Sequence, residues 1–371
     1  MPSGLELSPH IQAALNARLS AWAKRFGRQF VLGLSGGGDS MALGIGCARW
    51  MHSGQGHVHA ICVDHGLRDD AQREAQQTIA WAQALGLSAE IMSLNLDRGS
   101  KRLQERAREG RHRALLMGAK ANNARMILLG HNLDDQNETV ALRLATKTGL
   151  DGLAGMNELT PSPFYQDDWP CLLGRPLLDV TRSDLRHDLL QAGQSCHEDS
   201  SNDNPAFARI RARSRLHNLQ TAGADVNCLN RIAVQAARLR TTHVDFARDL
   251  LKHATIKIDE TSVSLSLEAF LNAPAGATER VLAWLANVIG GGARAPEALK
   301  LARLRLAMSA PCFKGATLAG SMFIIRGKYL VVAPAPTRNH GQRASPHLKR
   351  DVTLRLYALS SDLDRFVTHS R

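Results

Sequence analysis

One stretch constrains the fold more than any other: Phe30-Val31-Leu32-Gly33-Leu34-Ser35-Gly36-Gly37-Gly38-Asp39-Ser40-Met41-Ala42-Leu43. Its apolar first half has the length and composition of a buried strand. From Met41 to about Trp50 it is an apolar-rich segment of helical length. The three glycines between let the backbone turn sharply and approach a ligand with no Cβ in the way. The helix that follows points free N–H groups at that ligand, which suits an anion such as phosphate. Ser40 or Asp39 is placed to cap it. No Lys follows the last glycine, so this is not a Walker A loop, and the spacing G-x-G-x-x-G is absent. The loop adds two hydroxyls and a carboxylate, which suit a phosphate chain held with magnesium.

Around this unit the sequence alternates. Ser8-Pro9 opens an amphipathic helix with Ile11, Leu15, Leu19, Trp22 and Phe26 on one face, ended by Gly27. His57 to Val63 is a second strand, running into Asp64-His65-Gly66-Leu67-Arg68. Ala71 to Leu85 is a helix stopped by Gly86, and Ala89 to Leu94 a third strand. Lys101 to Lys120 is a long arginine-rich helix, and Arg125 to Leu129 a fourth strand. The alternation predicts an α/β fold with a doubly wound parallel sheet. Ligands of such sheets bind at the carboxyl ends of the strands, near the switch in strand order. Three strand ends here carry polar chemistry: Ser35 to Ser40, Asp64-His65, and Gly130-His131 to Glu138-Thr139.

Asp39, Asp134, Asp135 and Glu138 bring four carboxylates to one sheet edge, and with phosphate oxygens these suit magnesium. If a helix opens near Asp134, then Asp134, Asp135 and Glu138 are neighbours on it. One acid can then bind metal while another holds a cationic substrate. First-turn acids also serve as helix caps, Asp134 above all. For His65 and His131, phosphate contact, proton transfer and plain structure all stay open.

The chain carries 46 Lys+Arg against 34 Asp+Glu, a net charge of +12. Residues 1–203 hold 21 and 23 of these, and residues 204–371 hold 25 and 11. The basic excess therefore lies in the C-terminal part, as expected if that part grips a nucleic acid; a merely basic surface is the plainer alternative. Arg209, Arg211, Arg213 and Arg215 stand at alternate positions, as one charged face or an anion clamp. Leu159 to Leu173 is expected as a Pro-rich loop. Arg175-Pro176-Leu177-Leu178 precedes a helix from about Thr181 to Gln191. Residues 217–252 are expected as helix with Leu229, Ile232, Ala236 and Leu239 as a core stripe. Two more helices follow, the second displaying Lys300, Arg303 and Arg305, then a small β segment from Phe313 to Val332. Expected domains are 1–215, a smaller, mainly helical basic domain over 216–335, and a loosely ordered tail over 336–371. Six cysteines without a C-x-x-C pair argue against a zinc or iron–sulfur site. No signal-peptide core and no apolar run of about 18 residues occurs, so a cytoplasmic protein without a membrane part is expected.

The loop Ser35-Gly36-Gly37-Gly38-Asp39-Ser40 resembles the S-G-G-x-D-S loop of the PP-loop ATP pyrophosphatases, whose fold is HUP-like. Val63-Asp64-His65-Gly66-Leu67-Arg68 with Glu74-Ala75, and Gly130-His131 with Asp134-Asp135-Gln136 and Glu138-Thr139, are similar to segments of the tRNA(Ile)-lysidine synthetase family. So are Asp151 to Met156, Arg175 to Leu178, Asp199 to Asn202 and Phe207 to Arg211, in the same order. Two departures stand out: Thr146-Lys147-Thr148-Gly149 where the family commonly has Arg-Gly-Ser-Gly, and Ser200 in place of the usual proline. The extra C-terminal domain of longer members is not expected, and the basic surface over 294–328 is expected to grip the tRNA acceptor stem.

The resemblance implies the reaction. ATP adenylylates the C2 oxygen of the first-anticodon-position cytidine of a tRNA(Ile) with a CAU anticodon. Free L-lysine then displaces AMP, and decoding moves from AUG to AUA. The resemblance puts ATP on Ser35, Gly36, Gly37, Gly38, Asp39 and Ser40, with Asp64, His65, Gly130 and His131 at the adjoining strand ends. It implies Mg2+ on Asp39 and Asp134, lysine on Asp135 and Glu138, and catalytic roles for Asp39, Asp135 and Arg108. Arg209, Arg211, Arg213, Lys300, Arg303 and Arg305 are the expected tRNA contacts. Two rivals stay in view: a tRNA thiolase of the same superfamily, whose members usually use cysteine pairs, and a non-catalytic RNA-binding relative. The oligomeric state is open, a homodimer among the options.

Overall fold

The structure is a computed structural model of the chain. It describes residues 5–66, 70–94, 102–146, 148–163, 169–197, 208–259, 262–291 and 296–336. Leu67-Arg68, Lys101, Lys147, Asp199 to Asn202, Phe207 and the expected tail beyond 336 lie outside the described residues. Two compact units form. One runs to Thr148 and from Gly152 to Ala233, and the other comprises Gly149–Asp151 and the chain from Val234. The division falls inside a helix, whereas the sequence places a boundary after 215.

The first unit follows the alternation read from the sequence: α1 (Pro9–Phe26), β1 (Gln29–Gly33), α2 (Gly38–His52), β2 (His57–Asp64), α3 (Ala71–Ala84), β3 (Ser88–Ser93), α4 (Leu103–Ala121), β4 (Met126–Leu128) and α5 (Leu133–Ala145). The short α6 (Leu150–Leu153) leads to β5 (Leu159–Pro161), β6 (Leu172–Gly174), α7 (Arg182–Gln191) and α8 (Ala208–Thr221). Strand order is β3-β2-β1-β4-β6-β5. All neighbours are parallel except β5, which pairs antiparallel with β6. Leu159 to Leu173 is therefore not all loop: its two ends form the sheet's outer hairpin. The order reverses between β1 and β4, so the crevice at their carboxyl ends is the predicted ligand position.

The period-two pattern of β1 decides which helices cover which face. Phe30 and Leu32 join the core built with α1, α2 and α7, while Val31 joins Ile61, Leu115 and Ile127 under α4. Trp50 stacks on Phe30 with centroids 5.3 Å apart and donates its indole N–H to Ser20 Oγ at 3.0 Å. Burying Phe30 alone contributes roughly 1.5–3 kcal/mol.

The long helix α9 (Cys228–Ala254) carries the chain into the second unit. The expected continuous helix over 217–252 breaks into α8 and α9 at Gly223, whose φ of +87° ends the first. The expected core stripe is also corrected: Ala233 and Ala236 are buried, but Ile232 and Leu239 are exposed. Small residues let that side of α9 approach its neighbours, and the larger ones face out.

The second unit packs α10 (Leu267–Asn272), α11 (Ala275–Gly290) and α12 (Ala298–Met308) with an antiparallel sheet of order β7-β8-β11-β10-β9. These strands are β7 (Thr255–Ile258), β8 (Val263–Ser266), β9 (Ala316–Leu318), β10 (Ser321–Arg326) and β11 (Tyr329–Pro334). The turn at Arg326 to Tyr329 is as expected, with Gly327 at φ +57°. β7 and β8 extend the expected β segment. Phe270, Leu282, Leu285, Phe323 and Leu330 centre the core. Among the described residues no helix is long and apolar enough to cross a membrane.

Candidate active site

The glycine loop sits at the reversal of strand order, between β1 and α2. Gly36 has φ +78°, and a Cβ there would stand 2.3 Å from Thr78 Oγ1 and 2.5 Å from His197 Cδ2, so only glycine fits. His197 locks the loop. Its N–H donates to Gly36 O at 2.9 Å, its Nε2 donates to Glu74 O at 3.0 Å, and Trp81 packs on its ring. Ser40 Oγ donates to Gly37 O at 2.8 Å and accepts the Ser35 N–H at 3.2 Å, with Ser35 Oγ 3.1 Å away. The serines thus hold the loop's shape.

Neither Ser40 nor Asp39 caps α2. Gly37 takes the cap position and offers no side-chain bond, which leaves the first-turn amides to face an anion. A Cβ on Gly130 would lie 3.0 Å from Asp39 O, so glycine lets the end of β4 approach this helix start. Asp64 Oδ1 accepts the Gly66 N–H at 2.8 Å and shapes the turn after β2.

The acids gather around a residue that the sequence did not single out, Arg182 at the start of α7. Its Nε reaches Asp39 Oδ2 at 3.3 Å, its Nη2 reaches Asp135 Oδ1 at 3.0 Å, and its Nη1 reaches Glu138 Oε1 at 3.5 Å. Arg213 Nε reaches the same Glu138 oxygen at 2.7 Å. Glu138 is buried, and its Oε2 is enclosed without a hydrogen-bond partner. Burial works against the charge of Arg182, but Asp135, Asp39, Glu138 and Asp134 outweigh it and hold its pKa above the ordinary value. Burial pushes the Asp39 carboxyl up, and Asp135 adds to this while Arg182 opposes it. Four carboxylates, Asp39, Asp134, Asp135 and Glu138, gather about two guanidiniums, an excess of negative charge that suits a further cation.

Two acids also serve as caps. Asp135 Oδ2 accepts the Asn132 N–H at 3.2 Å while Asn132 Oδ1 accepts the Asp135 N–H at 3.0 Å, a capping box at the start of α5. Asp134, expected on the metal, accepts the Arg182 backbone N–H through Oδ2 at 2.7 Å and so also holds the start of α7. The cue for Arg182 in the sequence was its place just inside a helix that Thr181 caps, after the strand-end segment Arg175 to Leu178.

The alternating arginines lie on α8, so they do not form one face. Arg209 and Arg213, four apart, share a side, and Arg213 is committed to Glu138. Arg211 is exposed. Arg209 opposes the charges of Arg108, Arg111 and His131. Burial, then Arg175, Arg209, Arg111 and Arg108, push His131 down to about 3, so it is neutral at physiological pH. Burial and Arg111 likewise lower His65.

In the second unit, Leu301, Leu304 and Met308 bury one side of α12. Arg303 is exposed, and Lys300, also exposed, lies 3.4 Å from Glu297. Arg305 Nε lies 3.1 Å from Glu279 Oε1, which ties α12 to α11 rather than offering a cation to solvent.

A phosphate cradle at the reversal of a parallel sheet, beside a buried carboxylate, defines a nucleotide-dependent enzyme of the PP-loop class; the family model described as the PP-loop domain matches residues 7–220. The chain belongs to the tRNA(Ile)-lysidine synthase family. It is 31% identical to the tRNA(Ile)-lysidine synthase of Hyphomonas neptunium, covering 89% of this chain and 88% of that relative. With the synthase of Rhodopseudomonas palustris it shares 34% identity, covering 83% and 91%. The solved U34-tRNA thiolase NcsA of Methanococcus maripaludis, with its [4Fe-4S] cluster, is similar in fold alone. That likeness has a TM-score of 0.51 at 16% identity, covering 67% of this chain and 80% of that one.

Proposed function

We propose that this chain is a carbon–nitrogen ligase that converts the first-anticodon-position cytidine of a CAU-anticodon tRNA(Ile) to lysidine, using ATP and free L-lysine. The observation that carries the reading is the acid group around Arg182. Its excess of carboxylates over guanidiniums and the partnerless Glu138 Oε2 suit an ammonium group beside the phosphate cradle. The pairing of an acid-rich group with a nucleotide loop fits an amine that attacks an adenylylated base.

The loop amides hold the ATP phosphates and stabilise charge on the departing diphosphate. The cytidine C2 oxygen attacks the α-phosphorus, and the bond to diphosphate breaks. Adenylylation turns an amide-like oxygen into a leaving group. Asp135 and Glu138 orient the lysine side chain and take the proton that its ε-ammonium must lose before it attacks. The new C–N bond forms as the C–O bond to AMP breaks.

Among the described residues no three His, Cys, Asp or Glu side chains are gathered to hold a metal alone. Magnesium needs only one or two carboxylates when phosphates complete its shell. Asp39 fits that place, because burial and Asp135 both oppose its charge, and Asp134, whose Oδ2 accepts the Arg182 N–H, has Oδ1 left for the same ion. When bound, the ion neutralises the phosphates and stabilises the leaving diphosphate.

The reading predicts that labelled lysine enters an isoleucine tRNA transcript bearing CAU, with AMP release dependent on both lysine and RNA. AMP release that ignores lysine, or RNA that never gains the label, would refute it. The thiolase rival is less well supported, since the six cysteines include no C-x-x-C pair.

The second unit is the proposed RNA grip. Arg303→Gln is expected to lower the slope of log affinity against log salt by about 1 and to spare ATP binding. Arg305→Gln is expected to lower stability instead, through its contact with Glu279. A salt slope unchanged by Arg303→Gln removes Arg303 from the interface.

A further inference from the structure

The glycine loop is packed on one side and open on the other. A Cβ on Gly36 would meet Thr78 Oγ1 and the His197 ring, and one on Gly38 would meet Leu189 Cδ1 at 3.4 Å and Cys196 Sγ at 3.7 Å. Among the described residues, a Cβ on Gly37 would meet only Ser35 Oγ, at 3.7 Å. Residues of α3, of α7 and of the chain just after α7 therefore floor the loop. The open side at Gly37 is where an anion can arrive.

One peptide of the loop is aimed from that floor. The His197 N–H donates to Gly36 O at 2.9 Å, within a parallel bridge between Gly37 and His197. The peptide joining Gly36 to Gly37 is trans, so its N–H points opposite to its carbonyl. With the carbonyl held on the floor, the Gly37 N–H turns to the open side. That backbone bond is only as firm as His197 itself, and the ring supplies the firmness. Its Nε2 faces Glu74 O at 3.0 Å and therefore carries a proton. Thr78 Oγ1 donates to the same carbonyl at 2.8 Å, and Trp81 lies against the ring with centroids 4.7 Å apart. The ring thus bolts the chain after α7 to the first turn of α3, 123 residues earlier.

We propose that His197 is a positioning residue for the nucleotide's phosphates, its ring fixing the backbone that aims the Gly37 N–H at them. It acts through the loop and touches no substrate itself. The inference rests on the phosphate role given to the loop above, and not on lysine or RNA. A donor aimed in advance needs no reorganisation when the anion binds. Misplacing such a group by about 1 Å from outside the reacting centre can cost on the order of 10²-fold.

The test compares His197→Gln, His197→Asn and His197→Ala in the full chain. Glutamine places an N–H donor where Nε2 stands, whereas asparagine reaches only the Nδ1 position and alanine neither. Thermal unfolding verifies each fold, and affinity is measured for ATP, inorganic diphosphate and adenosine. His197→Asn and His197→Ala are expected to lose about tenfold in ATP and diphosphate affinity, the worth of roughly one hydrogen bond. His197→Gln should stay close to the parent, and adenosine, which carries no phosphate, should bind all four chains alike. Equal losses for adenosine and ATP, a glutamine variant as weak as the asparagine one, or unchanged diphosphate affinity in folded variants would overturn the proposal. The parent alone gives a readout that needs no variant to fold. With nitrogen-labelled glycine, the Gly37 amide resonance should shift on adding diphosphate, and one that stays still removes the aimed donor. The lysine-incorporation assay is independent: a chain that shows the glutamine–asparagine split but gains no lysine keeps the role of His197 and loses the lysidine reading.

Discussion

Arg182→Ala is expected to cost roughly 3–5 kcal/mol of stability, the loss typical of removing one partner from a buried ion pair. Arg182 is 18% exposed and Glu138 only 3%, so water replaces little of what is lost. The variant leaves Asp39, Asp135 and Glu138 gathered around an unfilled charge. At about 2–4 °C per kcal/mol for a unit of this size, the midpoint of thermal unfolding should fall by roughly 6–20 °C. The sign with pH follows from Asp39. Its folded pKa stands above the ordinary value of 3.8 even with Arg182 present, and Arg182 is what lowers it. Removing Arg182 raises it further, so the variant's carboxyl protonates at higher pH than the parent's. A raised carboxyl favours folding in acid and loses that advantage as pH rises through its folded pKa. The stability gap between parent and variant should therefore narrow as pH falls toward the carboxylate range. A midpoint change under 2 °C, or a gap that widens in acid, would show that Arg182 does not compensate these acids.

The first unit was legible because its signals are local. The glycines that turn the loop, the period-two apolar pattern of β1 and the Gly86 stop after α3 each act within a few residues, and the structure repeats them. Asp39, Asp135 and Glu138 were legible as a group because parallel topology sends successive strand ends to one edge. Arg182 was not, since its role depends on α7 placing its first turn against α5, more than forty residues earlier in the chain. The arginines at 209, 211 and 213 misled for the opposite reason. Alternation suggests one charged face or an anion clamp, but α8 packs against α5, and only every fourth residue then meets the acids. On α9, helical spacing marked Ile232 and Leu239 as core. The periodicity gave the helix correctly; which side is covered is decided by the small residues Ala233 and Ala236, which allow close approach.

Asp39→Asn is expected to lower adenylylation by a factor on the order of 10²–10³, the range seen when one pre-placed electrostatic group is removed from a reacting centre. The substitution keeps shape, and the amide oxygen can still accept from Arg182 Nε, now 3.3 Å from the carboxylate. Stability should thus change by less than about 1 kcal/mol, or rise, because a charge that burial opposes has been removed. Loss of activity without loss of stability separates a group that acts on ATP from one that merely holds α2 in place. The pH profile gives the second readout. If the ionised Asp39 is the working form, the parent's acid limb in kcat/KM for magnesium–ATP, which reports the free enzyme, lies above the ordinary carboxylate value of 3.8, because burial and then Asp135 push that pKa up. Asp39→Asn should abolish the limb, leaving a low and flat profile. Arg182→Gln should move the limb to higher pH, because the cation that favours the ionised form is gone. Magnesium supplies a third: the Asn variant should need a higher concentration for half-maximal rate, since an amide oxygen binds a hard cation more weakly than a carboxylate. An Asn variant that retains the parent's rate, acid limb and magnesium requirement would place the reacting phosphate elsewhere on the sheet edge.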